Sequence, residues 1–162
     1  MLVRDAVEGD LPGILEIHNE AIANSTAIWD EEPADLGDRR RWFDDRRGAG
    51  FPILVADVDG RIAGYASYGV WRARSAYRFT VENSVYVHVD HHRRGVATAL
   101  MAALVERARD AGLHVMVASV ESSNTGSIAL HERFGFVTVA RMPEVGRKFG
   151  RWLDMTYLQL TL

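Results

Sequence analysis

The chain has 162 residues, 48% of them hydrophobic, which is enough for one sizeable core and gives no reason for a second domain. A net charge of −3 with acids and bases interspersed offers no basic field for nucleic acid or an anionic membrane, and the absence of cysteine excludes disulfides, thiolate metal sites and a cysteine nucleophile. The opening Met-Leu-Val-Arg-Asp has no signal-peptide pattern and no apolar run approaches spanning length, so a single cytoplasmic α/β domain over residues 1–162 is expected.

Leu2–Arg4 reads as a short first strand. Asp10 as N-cap, Pro12 in the first turn and an apolar stripe through Leu11, Ile14, Leu15, Ile17 and Ile22 predict a helix. The polar stretch Ser25–Pro33 places Trp29 on a loop, either as a pocket wall or as packing over the core. Asp35 to about Arg47 is a second, charge-dense helix turning Leu36, Trp42 and Phe43 inward, ended by Gly48-Ala-Gly50. Ile53–Val58 and Arg61–Tyr68, joined by Asp59-Gly60, form a hairpin. Gly69–Phe79 carries three arginines and three aromatics, too polar for core and too aromatic for a passive linker, and reads as a ligand-facing loop.

Ser84–Val89 alternates Val85, Val87 and Val89 with Tyr86 and His88, a strand period. From about Gly95 to Ala111 the period changes, with Val96, Leu100, Leu104 and Ala108 on one helical stripe. Between them lies Asp90-His-His-Arg-Arg-Gly95. A glycine at a strand-to-helix turn lets backbone N–H groups approach a ligand, and a fresh helix N-terminus adds unpaired donors and a positive dipole end. With Arg93 and Arg94 this is a site for a pyrophosphate, or an ordinary turn with two solvated arginines. Leu113–Val120 is a near-continuous apolar strand, Asn124 caps a helix through Arg133 closed by Gly135, and Phe136–Arg141 and Trp152–Leu162 are the last strands, with Met142–Arg151 as their connection. The order β-α-α-β-β-β-α-β-α-β-β contains no repeat or linker.

His92-Arg-Arg-Gly95-Val-Ala97 resembles the acyl-CoA signature of the GNAT superfamily of N-acetyltransferases, Arg/Gln-x-x-Gly-x-Gly/Ala, with His92 departing at the first position. Asn124-Thr-Gly-Ser-Ile-Ala-Leu-His-Glu-Arg-Phe-Gly-Phe136 is similar to that superfamily's second signature, and the element order is the same. More narrowly, Tyr65–Gly69, Thr80–Val87 and Val145–Asp154 resemble the phosphinothricin and methionine sulfoximine (methionine sulfone) N-acetyltransferases. The resemblance implies a mixed, mostly antiparallel sheet flanked by helices, with acetyl-CoA as co-substrate and a small amino-acid acceptor. It also implies that Val85, Tyr86, Val87, Arg93, Arg94, Gly95, Val96, Ala97, Thr98 and Asn124 hold the donor. Arg72, Ala73, Arg74, Glu82, Asn83 and Ser84 then border the acceptor, with Trp29 as a wall. Ala73-Arg74-Ser75 departs from relatives that carry Pro and Phe there.

Direct attack by an amine on a thioester needs no enzyme nucleophile. It needs a deprotonated amine, a polarised carbonyl and a proton for the leaving thiolate. An α-amino group titrating near 8 needs only a modest base; Glu82, in the Thr80-Val-Glu82 segment that resembles the family's, is the first choice, and Glu121, at the end of the next strand, the reserve. The resemblance implies that the thioester carbonyl is met by a backbone N–H on the strand preceding the loop, which here falls near Val87. His131 stands where many superfamily members have a tyrosine beside the sulfur, and is either a general acid or a solvent-facing helix histidine. His88, His91 and His92 straddle a strand end without a carboxylate triad, so no metal is expected. Val145–Trp152, with Arg147, Lys148 and Arg151 interleaved with Phe149 and Trp152, has the composition of an interface, and a homodimer is expected. Two alternatives remain: a protein or peptide N-acetyltransferase, and a CoA-binding module without turnover.

Overall fold

A computed structural model describes all residues, Met1–Leu162. Seven strands form one sheet in the order β1-β2-β3-β4-β5-β7-β6. In the chain they are β1 Leu2–Asp5, β2 Ile53–Val58, β3 Arg61–Val70, β4 Thr80–Val87, β5 Val115–Glu121, β6 Val137–Lys148 and β7 Arg151–Thr161. Four α-helices complete the fold: α1 Leu11–Asn24, α2 Leu36–Gly48, α3 Val96–Asp110 and α4 Thr125–Arg133. Every neighbouring pair is antiparallel except β4 and β5. None of the helices is long and apolar enough to cross a membrane.

Strand alternation divides the core into two layers. Val81, Ala66, Tyr68, Met116, Ala118 and Leu158 point to one face, where α3 inserts Leu100, Met101 and Leu104, all fully buried. Each such leucine stabilises the fold by about 1.5–3 kcal/mol of apolar transfer. Tyr65 and Val55 point to the other face, beneath Ile14 and Ile17 of α1 and Phe43 of α2. The hairpin β2–β3 turns on Asp59 and Gly60, both at positive φ (53° and 81°), the mirror-type turn whose twist matches the strands.

Three expectations need correction. Leu36, placed inward from the pattern, is 42% exposed, because the helix buries only Phe43 fully and leans on the Trp42 ring. Asp10 occupies the cap position of α1 without capping it: its carboxylate accepts two bonds from Arg4 (2.7 and 2.9 Å) and one from the Val7 N–H (2.8 Å), and these Arg4 bonds lower its pKa. Finally, Met142–Lys148, expected as part of a loop, is strand. Pro143 and Gly146 read as breakers, but a register shift between Met142 and Gly146, with Glu144 at φ 54°, absorbs the proline on the outermost strand, where its missing N–H breaks no ladder. The turn is Phe149-Gly150, again at positive φ (52° and 73°).

Candidate active site

The site begins where the one parallel pairing fails. β4 and β5 are paired only at Thr80↔Val115, Val81↔Met116 and Glu82↔Val117, although β4 runs on to Val87 and β5 to Glu121. Beyond Glu82 the two strands part. The His88 N–H donates to the Ala63 carbonyl (2.9 Å), so in this antiparallel ladder the even-numbered residues of β4 bond to β3. The N–H groups of Val85 and Val87 therefore face the gap, with no strand opposite them.

A cavity of about 1220 Å³ occupies the gap. Val85, Val87, Gly95, Thr98, Asn124 and His131 line it, together with Asn83, Ser84, Tyr86, Arg93, Val96 and Ala97, so most residues expected at the donor come together. Arg94 is exposed and outside it. The loop into α3 has Arg93 at φ 61° and Gly95 at φ 81°, and α3 has no side-chain cap, so the free N–H groups of its first turn open onto the cavity. A Cβ on Gly95 would have nothing within 4 Å, which leaves a bare backbone cradle for a diphosphate. His92, at the signature's variant position, turns back so that its Nε2 lies 2.9 Å from the Val87 carbonyl and ties loop to strand. Asn124 uses its amide oxygen to cap α4 at the Ser127 N–H (3.1 Å), which keeps the Nδ2 group available to a ligand.

His131 is buried against the same cavity, edge-on to Phe136. Its Nδ1 lies 2.7 Å from the Ser127 carbonyl, which can only accept, so the neutral ring carries its hydrogen there and Nε2 accepts from the Asn83 amide (3.2 Å). Burial lowers the pKa and favours that neutral form, although the Ser127 contact opposes it. In this state the ring directs no proton into the cleft.

The other face of the gap holds the carboxylates. Glu82, Ser84 and Tyr86 project to the α1–α2 side, and Glu82 accepts a bond from the Ser119 hydroxyl, itself a cavity-lining group on β5. Glu121 is fully engaged: it accepts from the Ser123 N–H (3.0 Å), the Ser123 hydroxyl and the Thr26 hydroxyl (3.1 Å). Burial pushes its pKa up, yet these bonds prevail and the net shift is downward. It binds the α1–α2 connection to the end of β5 through three accepted bonds. Tyr86, its ring 5.3 Å from that of Tyr65, has a pKa raised by burial to about 12, so it remains a neutral phenol.

Trp29 is not on the cavity wall. Its ring lies over Gly146 on β6, where any side chain would overlap it, and its Nε1–H donates to the Thr26 carbonyl (3.0 Å). Beside it the buried Lys148 donates to the carbonyls of Ser25 (2.9 Å) and Ile28 (2.5 Å), fastening the β6–β7 tip to the α1–α2 connection. Arg72, Ala73 and Arg74 are exposed and away from the cavity, with the Arg72 guanidinium stacked on Trp71 at 4.8 Å. Two residues near Glu82 carried no sequence signal: Ser119, hidden in an apolar strand, and Arg46, one of several charges on α2.

A parted pair of parallel strands beside a glycine-bearing helix N-terminus, with a carboxylate on the far side, defines an enzyme that moves an acyl group from a nucleotide-linked thioester to an amine. The chain belongs to the Acetyltransferase (GNAT) family, whose pattern matches residues 14–136. It is 56% identical over 161 residues to the L-methionine sulfoximine/L-methionine sulfone acetyltransferase of Pseudomonas aeruginosa, covering 99% of this chain and 94% of that protein. A solved structure from Brucella melitensis, named a ribosomal-protein-alanine N-acetyltransferase, superposes with a TM-score of 0.99 at 44% identity and full coverage of both chains. An acetyltransferase from Salmonella typhimurium solved with acetyl-CoA superposes at 0.98 with 46% identity, covering 100% of this chain and 94% of that one.

Proposed function

We propose that this chain, as a cytoplasmic homodimer, transfers an acetyl group from acetyl-CoA to the α-amino group of a small amino acid bearing a tetrahedral oxidised sulfur, methionine sulfone or sulfoximine. The observation that carries the reading is the placement of Glu82 at the point where β4 and β5 part, bonded to the cavity-lining Ser119 and beside the free N–H groups of β4. The 56% identity to the Pseudomonas enzyme over nearly all of both chains supports the acceptor class.

The bare Gly95 turn and the uncapped start of α3 fit the diphosphate of CoA, and the edge of β4 fits its amide-bearing arm. Bound there, the thioester supplies an activated acetyl group. Val87 N–H is the donor available to the carbonyl oxygen, and Asn124 Nδ2 to the pantetheine arm. Glu82, directly or through one water, takes the proton of the acceptor ammonium, after which the amine attacks. Ser119 holds one carboxylate oxygen in place and leaves the other free. Because His131 offers no proton toward the cleft in its neutral tautomer, the thiolate regains one from solvent or from the attacking amine.

Methionine sulfone and sulfoximine should be preferred over phosphinothricin, whose second anion must be desolvated against a further cation. The exposed row Val137, Val139, Met142, Val145, Phe149 and Trp152 along β6 and its turn supports the dimer, since covering it removes both an apolar strip and a sheet edge. A panel of methionine sulfone, methionine sulfoximine, phosphinothricin and an alanine-started peptide, assayed for acetyl-CoA-dependent thiol release, tests the reading. Faster turnover of the peptide would favour a protein acetyltransferase, and CoA binding without turnover of any amine would favour a non-catalytic module.

A further inference from the structure

Lys148 is the only lysine in a chain whose other strongly basic side chains are all arginine, and at 2% exposure it is the most deeply buried basic residue. Its ammonium donates to the carbonyls of Ser25 (2.9 Å) and Ile28 (2.5 Å) and lies 4.9 Å from the centre of the Phe149 ring. A compact ammonium can sit between two converging carbonyls where a planar guanidinium could not. Burial lowers its pKa, and the charges of Asp30 and Glu31 oppose that. Taking an ammonium out of water is costly, so these bonds must hold something in return, and without them two carbonyls lose their partner.

Those carbonyls belong to a wall of the cavity. Ser25–Trp29 lies in neither helix nor strand, and Ser25 and Ala27 line the cavity together with Ser84 and Glu121. The segment continues from α1, which packs on β3 and β4, whereas Lys148 ends β6, which joins β5 through β7. Lys148 therefore bridges the two parts of the sheet that separate beyond Glu82. Two further contacts cross at the same place: the Thr26 hydroxyl donates to Glu121 (3.1 Å), and the Trp29 ring lies over Gly146. The three contacts fix a stretch of chain that has no ladder or helix of its own to fix it. They involve neither the N–H groups of Val85 and Val87, nor the Gly95 turn, nor Asn124.

We propose that Lys148 is a positioning residue for the acceptor: by holding Ser25 and Ile28 it fixes the cavity wall on the side to which Ser84 projects, and with it the fit of the amine substrate. The assignment rests on the acetyl-transfer reading above for the identity of the two ligands. It makes the β6–β7 tip part of the acceptor side of the enzyme, through the backbone it holds and without contact to the reacting atoms.

Steady-state kinetics with acetyl-CoA and L-methionine sulfone, together with hydrogen–deuterium exchange, tests the assignment on wild type, Lys148→Met and Arg4→Met. The last is a control that breaks the Arg4–Asp10 and Arg4–Asp57 pairs at the β1 edge of the sheet. Lys148→Met should speed exchange in Ser25–Trp29 and raise the acceptor KM roughly 10-fold, with the acetyl-CoA KM unchanged and kcat largely kept. Arg4→Met should lower Tm and leave exchange in that segment and both KM values alone. Should Lys148→Met fail to fold, Gly146→Ala carries the test, since its Cβ would overlap the Trp29 ring and push the tip off the same segment. Its acceptor KM should rise alone. A parallel rise in both KM values, the same acceptor effect in Arg4→Met, or faster exchange with an unaltered acceptor KM overturns the assignment. A wild type that turns over no amine, beside faster Ser25–Trp29 exchange in Lys148→Met, would instead keep Lys148 as the holder of the cavity wall and refute the acetyl-transfer reading.

Discussion

Gly95 and Gly112 stand at the two ends of α3 and form a matched pair. Both have positive φ (81° and 69°), and a Cβ at either would meet nothing within 4 Å. Replacing either with valine therefore costs left-handed strain without a clash, about 1–2 kcal/mol in each case. For a domain of this size that corresponds to a loss of about 2–8 °C in Tm, similar for the two variants. Their effects on catalysis should differ. Gly95 opens onto the cavity and Gly112 does not. A valine at 95 fills the cradle and holds a diphosphate away from the backbone N–H groups, and each charge-assisted bond lost is worth about 1.5–3 kcal/mol. The KM for acetyl-CoA should rise roughly 10- to 100-fold in Gly95→Val and stay unchanged in Gly112→Val, with acceptor KM unaffected in both. Steady-state kinetics at varied acetyl-CoA, alongside thermal melts, measures all of this. Unaltered donor KM in a folded Gly95→Val protein, or the same rise in Gly112→Val, refutes the placement of the donor.

Glu82→Gln should lower kcat by roughly 10²–10⁴-fold, with part of the loss recovered at high pH, where the acceptor amine loses its proton unaided; a pH–rate profile separates this from a change in KM alone. His18, buried with its Nδ1 3.1 Å from the Tyr65 hydroxyl, has a pKa pushed down by burial to about 4, so the unfolded chain binds a proton near pH 6.5 that the folded one refuses. Stability should therefore fall as pH drops from 6.5 to 4, by up to about 3 kcal/mol, and urea midpoints should show a smaller fall in His18→Gln. Light scattering at micromolar concentration should report a dimer, and Trp152→Ala should weaken both association and acceptor turnover; a monomeric wild type removes the interface assignment.

What the sequence determined by itself was local. A period of two through Val85–Val89, a period near 3.6 through Val96–Ala108, Asp59-Gly60 between apolar runs and glycine ahead of a helix are written within a dozen residues each. They were sufficient for the element order, the hairpin and the glycine-bearing turn into α3, because backbone geometry and one-sided burial leave few other solutions. Two misplacements came from local rules that neighbours override. Pro143 and Gly146 look like a loop until β7 supplies a partner strand and a bulge absorbs the proline. Asp10 looks like a cap until Arg4, from an adjacent strand, claims its carboxylate.

The surroundings of Glu82 and the burial of Lys148 were decided only by tertiary structure. Arg46 is one basic residue among several on a charged helix, Gly69 one glycine at a strand end, Ser119 one polar residue in an apolar strand, and Lys148 one more cation near the C-terminus. Arg46 and Gly69 come to lie beside Glu82 because β3 and β4 pair in a register that sets position 69 opposite 82, and because α2 packs on that face. Lys148 is buried because a long hairpin returns to the α1–α2 connection some 120 residues earlier, where two carbonyls replace its lost hydration. Such contacts depend on register and on packing between distant segments, and a one-residue slip of either strand would turn the same side chains to the opposite face.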